Sequence, residues 1–92
     1  MLVEMLNLAV YIPFLKVNEE DIVRNIQKLK KQEWFQQLLL DEDYKRLIVH
    51  NQKVRQVIGK FRTNKLKKEQ YLDKCQAKLY NTLVKASNAP SN

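Results

Sequence analysis

Turn-forming residues are unusually scarce in this chain of 92 amino acids, which contains one glycine and two prolines. A β-rich fold of this length needs several tight turns, and most of those turns depend on glycine or asparagine. Hydrophobic residues make up 45% of the chain and charged residues 29%, a balance that supports a packed core rather than disorder. We therefore predict an all-α fold, a small antiparallel bundle of four to five helices.

The length of the chain fits one domain. We predict a single helical domain over residues 1–86 and a flexible C-terminal tail over residues 87–92, because the tail is small and polar. The apolar start, Met1 to Leu15, is predicted to be a core helix that stops near Ile12, ahead of Pro13. The alternatives for this segment are a contact surface for a partner and a membrane anchor. Since about 20 apolar residues are needed to cross a bilayer, we predict no transmembrane segment.

A helix start is predicted at Asn18. This residue is a good N-cap, and three acidic residues follow it in the first turn, where the helix dipole favours negative charge. Val17 and Ile22 occupy the two positions of a hydrophobic staple. The predicted buried stripe of this helix consists of Ile22, Ile26 and Leu29.

The phase of the apolar residues changes after this stripe. Trp34 and Phe35 would point almost opposite to Ile22 if the helix continued, so we predict a break near residues 31–33. A short helix from about residue 33 to residue 40 follows, with one of the two aromatic rings inside and the other partly outside. The acidic run that begins at Asp41 is predicted to cap the next helix.

The next helix is predicted to run from residue 42 to residue 58 or 60, because its apolar residues recur at alternating spacings of three and four. Asn51 interrupts this coiled-coil-like seam and is interpreted either as a register-fixing residue or as an ordinary boundary asparagine. Gly59 is predicted either to end the helix or to allow a close helix approach. Thr63 or Asn64 is predicted to cap a last helix that reaches about Lys85 and buries Leu72, Cys75, Leu79 and Leu83.

Positive charge is concentrated in one part of the chain. The formal net charge is +7, and the segment from Tyr44 to Lys68 contains nine Lys or Arg residues and no acid. Concentrated charge of one sign attracts polyanions. On one continuous helix Arg46, Lys53 and Lys60 would line a single edge, and a flanking last helix would extend it. We predict phosphate contacts, to DNA or structured RNA without sequence specificity, by Arg46, Lys53, Lys60, Arg62, Lys65, Lys67, Lys68 and Lys74.

Other interpretations of the charge remain open. The basic residues can form an ordinary solvated face, or they can dock onto an acidic protein or onto lipid headgroups. Trp34 is predicted to fill the core or to serve as an aromatic hot spot at a partner interface. Val49 and Val57 lie off the main seam and are candidates for a second apolar contact, such as a homodimer. A further alternative is a structural subunit of a larger assembly.

The sequence contains no recognisable combination of catalytic residues. His50 is the only histidine, Cys75 is the only cysteine, and a single glycine cannot build a phosphate-cradling loop. We predict a protein that is not an enzyme and that holds no metal or cofactor. A lone cysteine gives no intramolecular disulfide, which favours a reducing compartment and a cytoplasmic location.

Three short stretches resemble small cytoplasmic bacteriocin immunity proteins. They are residues 21–23 (DIV) at the first helix start, residues 28–32 (KLKKQ), and residues 63–65 (TNK) before the last helix. Size, charge and helix layout are similar over most of the chain. The resemblance implies an antiparallel four-helix bundle with a mobile C-terminal end, acting through protein contacts rather than through nucleic acid.

Overall fold

The computed structural model describes residues 17–88, and this part of the chain is an all-α bundle, as predicted. Five α-helices and one 3₁₀ turn follow one another along it. The predictions for the apolar start and for residues 89–92 lie outside the described residues. The elements are α1 (Glu19–Leu29), α2 (Glu33–Leu40), α3 (Glu42–His50), α4 (Gln52–Lys60), the 3₁₀ turn Thr63–Lys65, and α5 (Glu69–Asn88).

Helix α1 begins directly after Asn18, as predicted, with three acidic residues in its first turn. The Asn18 side chain makes no capping hydrogen bond, and its carbonyl accepts from the Ile22 N–H at 3.2 Å. Ile22 and Leu29 are buried and Ile26 is partly buried, which confirms the predicted stripe. Asn25, which the apolar pattern did not single out, is fully buried beside them.

The predicted break after α1 is confirmed. The chain leaves the helix at Lys30, and α2 spans Glu33–Leu40. Phe35 is fully buried while Trp34 is half-buried, and the two rings meet edge to face with centroids 5.9 Å apart. The Asp41 side chain then accepts hydrogen bonds from two backbone N–H groups of α3, so the predicted cap is also present.

The single helix predicted from residue 42 to residue 60 is wrong. Asn51 separates α3 from α4 with an extended backbone (φ −76°, ψ 125°), and its side-chain oxygen accepts from the Val54 N–H at 3.0 Å. A capping asparagine replaces the helical backbone bond at this position, so the residue that interrupts the seam ends one helix and starts another. The continuous coiled-coil seam therefore does not form, and Ile48 is the residue of α3 that is fully buried.

Gly59 lies inside α4 at a close approach to α1. A methyl group at Gly59 would lie 2.5 Å from Val17 Cγ2 and 2.9 Å from Ile22 Cγ1. Glycine is required here because a side chain would occupy the space of the staple residues. Of the two predicted roles for Gly59, the close approach is the one observed.

The core joins α1 to α4, α4 to α5, and α3 to both α2 and α5. Helix α5 buries the predicted stripe, and it extends through Asn88, so it includes the first two residues of the predicted tail. The predicted cap at Thr63 or Asn64 is wrong, because these residues form the 3₁₀ turn and α5 starts at Glu69. The buried core comprises Ile22, Leu29, Phe35, Ile48, Val54, Ile58, Phe61, Leu66, Leu72, Cys75, Leu79 and Leu83.

Candidate nucleic-acid interface

A surface depression of about 480 Å³ lies where the 3₁₀ turn meets the first turns of α5. Three of the predicted phosphate-binding lysines line it together with one acid, one amide and one aromatic ring. We call this surface the basic depression. Its lining residues are Lys65, Lys68, Glu69, Gln70, Tyr71 and Lys74.

Backbone hydrogen bonds shape the chain that enters the depression. Lys65 N–H donates to the Arg62 carbonyl at 2.9 Å, and Lys68 N–H donates to the Lys65 carbonyl at 2.9 Å. Leu66, which lies between these two lysines, is buried and anchors the turn in the core. Because Leu66 faces the core, the ammonium groups of the neighbouring lysines extend toward solvent.

Tyr71 ties the turn to α5. Its hydroxyl accepts the Arg62 backbone N–H at 2.7 Å. Burial raises the pKa of this hydroxyl above its ordinary value, and the hydrogen bond from Arg62 partly opposes that rise. Because the ring stays neutral at physiological pH, Tyr71 adds an uncharged aromatic surface to a site whose charge comes from lysines.

Asn25 holds the chain that leads into the turn. Its amide nitrogen donates to the Ile58 carbonyl at 2.7 Å and to the Phe61 carbonyl at 3.0 Å, at the end of α4. The hydroxyl of Thr63 donates to the amide oxygen of the same side chain. One fully buried side chain of α1 therefore positions the residues on both sides of Arg62. Partners 33–38 residues away in sequence leave no local signal, which is why the pattern of α1 alone did not reveal this role.

The lysines of the basic depression make no salt bridge with any acid in residues 17–88. The three salt bridges in this part of the chain join acids to arginines elsewhere. Arg46 pairs with Asp43, and Arg55 pairs with Glu19. Residues 60–74 contain six basic residues and two acidic ones, so the local charge stays strongly positive.

The eight predicted phosphate-binding residues are distributed over α3, α4, the 3₁₀ turn with its flanking residues, and α5. Lys65, Lys68 and Lys74 line the basic depression, and Arg62 contributes a backbone N–H beside it. Lys67 is exposed in the connection to α5. The predicted edge through Arg46, Lys53 and Lys60 required one continuous helix, and that requirement fails because Asn51 divides it.

The predicted partner-interface residues lie on three different helices. Trp34 and Val57 are partly buried against the core, whereas Val49 is 45% exposed. Val49 lines a separate depression with His50 and Arg55. His50 is exposed at the end of α3, whereas the single helix predicted over residues 42–60 would place it near the middle.

Cys75 is buried in the stripe of α5, and burial raises the pKa of its thiol. A neutral, enclosed thiol is a packing residue and a poor nucleophile at neutral pH. Among residues 17–88, no three His, Cys, Asp or Glu side chains are grouped in a way that could hold a metal ion. Nor does any helix in that range have the length and apolar character needed to cross a bilayer.

Comparison with known proteins gives no relative. No protein-family model, no curated protein sequence and no solved structure matches this chain.

Proposed function

We propose that this chain is a non-enzymatic binding protein that contacts the phosphates of nucleic acid, DNA or structured RNA, through the basic depression. The observation that carries the proposal is the convergence of Lys65, Lys68 and Lys74 on one concave surface without a salt-bridge partner in the described part of the chain. Unpaired lysines on a concave surface are free to replace the counterions of a phosphate backbone.

The expected binding is electrostatic and carries little sequence information. Lysine ammonium groups contact phosphates as point charges, and such contacts position a protein on nucleic acid without reading its bases. Three phosphate contacts give a logarithmic salt slope of about −2 on single strands and about −3 on duplex. Affinity is then expected to fall roughly 20- to 40-fold between 50 and 200 mM salt.

The test compares two triple variants with the same change in net charge. One removes the depression's lysines (K65Q/K68Q/K74Q), and the matched control removes three exposed lysines elsewhere (K28Q/K31Q/K78Q). Binding of labelled DNA and RNA is measured by fluorescence anisotropy across a salt series. The first variant is expected to reduce the magnitude of the salt slope by about 2 on single strands and by about 3 on duplex, while the control keeps most of it. Equal loss in both variants would show that net charge, and not the depression, drives binding.

A second candidate is a protein-interaction role like that of the bacteriocin immunity proteins that the sequence resembles. Helix α1, which contains residues 21–23, packs against the 3₁₀ turn formed by residues 63–65. Large exposed apolar side chains, Leu40 at 75% and Tyr80 at 49%, also suit a protein contact better than a phosphate contact.

This second candidate is tested in cells. The chain is expressed in a panel of bacteriocin-sensitive bacteria, and growth is measured with and without each bacteriocin. Protection against one bacteriocin that persists in K65Q/K68Q/K74Q would support the protein-interaction role over phosphate binding. A pull-down that recovers membrane transporter components instead of nucleic acid would point the same way.

A further inference from the structure

The aromatic residue of the basic depression has no part in phosphate contact, and this gives the site a second chemistry. Tyr71 is half-buried, lines the depression, and has its hydroxyl already occupied by the Arg62 N–H. Tyr71 also packs against the core, and the part of its ring that lines the depression is the surface available for stacking. Lys65 of the 3₁₀ turn, Lys68 just before α5 and Lys74 of α5 line the same depression.

Single-stranded nucleic acid matches this combination of groups. Proteins that bind single strands pair a positively charged groove, which follows the backbone, with aromatic rings on which bases stack. In a duplex the base faces are covered by neighbouring base pairs, so Tyr71 would have nothing to stack on without unpairing. The depression, about 480 Å³ in volume, has room for one unstacked nucleotide.

We propose that the basic depression binds single-stranded nucleic acid, with one base stacked on the Tyr71 ring and the flanking phosphates held by Lys65, Lys68 and Lys74. This inference rests on the proposed phosphate-binding function and specifies its ligand. Glu69, the one acid in the lining, repels phosphate and accepts hydrogen bonds from amino groups of a base. The Gln70 amide both donates and accepts, so these two residues favour a base over a second phosphate beside the ring.

The first experiment uses the unaltered protein. Anisotropy titrations at one salt concentration compare a 12-nucleotide single strand, a duplex of the same sequence, and a 12-unit abasic strand that has the same phosphates and no bases. Stacking of one base on an aromatic side chain is worth about 1–3 kcal/mol, which is about a 5- to 150-fold difference in affinity. The single strand is expected to bind tighter than the abasic strand by a factor in that range, and tighter than the duplex.

Variants of Tyr71 supply the second arm. Tyr71→Leu removes both the ring and the acceptor of the Arg62 N–H, and Tyr71→Phe removes the acceptor alone. Relative to Tyr71→Phe, Tyr71→Leu is expected to bind the single strand more weakly by the same factor, and the two variants are expected to bind the abasic strand equally. Tyr71→Phe keeps the ring and loses only the acceptor of the Arg62 N–H, so it is expected to bind the single strand within about threefold of the wild type. Thermal melts of both variants report whether the fold is retained.

The outcomes separate the two proposals. Equal affinity for the normal and abasic strands, with both lowered in K65Q/K68Q/K74Q, would overturn base stacking and leave phosphate binding in place. Absence of binding to all three ligands would overturn both. If Tyr71→Leu does not fold, the comparison of normal with abasic strands on the wild type still decides the question.

Discussion

Replacing Asn25 by leucine is the most direct test of how the fold positions the basic depression. The two side chains are similar in size, so the substitution creates little cavity and chiefly removes the amide's hydrogen bonds. The Asn25 side chain donates to the Ile58 and Phe61 carbonyls and accepts from Thr63. All of these bonds are lost in Asn25→Leu.

The magnitude follows from which partners have other bonds. The Ile58 carbonyl keeps the Phe61 N–H as a donor at 3.2 Å, and the partly exposed Thr63 hydroxyl can turn to water. The Phe61 carbonyl loses its side-chain donor, and a buried polar group without a partner costs about 1–3 kcal/mol. We expect Asn25→Leu to lower the free energy of unfolding by about 2–3 kcal/mol, a fall in Tm of roughly 8–24 °C.

Asn25→Asp adds a dependence on pH. An ionised carboxylate cannot donate and faces two carbonyl oxygens, so the fold favours the protonated acid and raises its pKa above the unfolded value of about 3.9. An acid whose folded pKa is raised stabilises the fold at low pH and loses that contribution as pH rises through the folded pKa. The stability deficit of Asn25→Asp is therefore expected to be smaller at pH 4 than at pH 7.

Urea denaturation followed by circular dichroism at both pH values measures these effects. Thr63→Val is the matched control, because it removes only the bond from Thr63 to Asn25 and is expected to lower the free energy of unfolding by about 1 kcal/mol. Most surface substitutions change the free energy of unfolding by less than about 0.5 kcal/mol. A change of that size in Asn25→Leu would refute the argument. So would a deficit of Asn25→Asp that does not change between pH 4 and pH 7.

Three further predictions concern other parts of the fold. Gly59→Ala is expected to destabilise by about 1–3 kcal/mol despite a gain in helix propensity, and Val17→Ala in the same chain should restore part of it in thermal melts. Asn51→Ala should cost about 1 kcal/mol in urea denaturation, whereas Asn51→Asp retains most of the cap; equal losses would contradict the capping role. Burial raises the pKa values of Cys75 and Tyr71, so the fold favours their neutral forms, and the free energy of unfolding should fall as pH rises above about 8.5. Cys75→Ala should make the fall that begins near pH 8.5 less steep. A free energy of unfolding that depends on pH in the same way in Cys75→Ala and in the wild type would argue against a role for the thiol.

The helices could be predicted from the sequence where the signal was local. The change of phase before Trp34 located the break between α1 and α2, and the acidic run at Asp41 located the start of α3. The end of α3 at Asn51 was missed because the spacing of apolar residues continues across this residue. Periodicity reports which residues share a face and does not detect a side chain that replaces a backbone hydrogen bond.

The basic depression could be predicted only in part. Concentration of lysines between residues 60 and 74 was visible in composition, and three of the eight predicted phosphate-binding residues line the depression. Tyr71 and Asn25 did not stand out as site residues. The bond from Arg62 to Tyr71 and the bonds of Asn25 join segments distant in sequence, and spacing within one helix cannot reveal such pairs.

The bonds of Asn25 also bear on how the chain acquires its fold during synthesis. A ribosome releases α1 first, and the carbonyls and hydroxyl that its amide needs are 33–38 residues further along. Until residues 58–63 leave the exit tunnel, that amide lacks its native partners and is hydrated by water. Stable docking of α1 is thus timed to the emergence of the turn that carries the lysines.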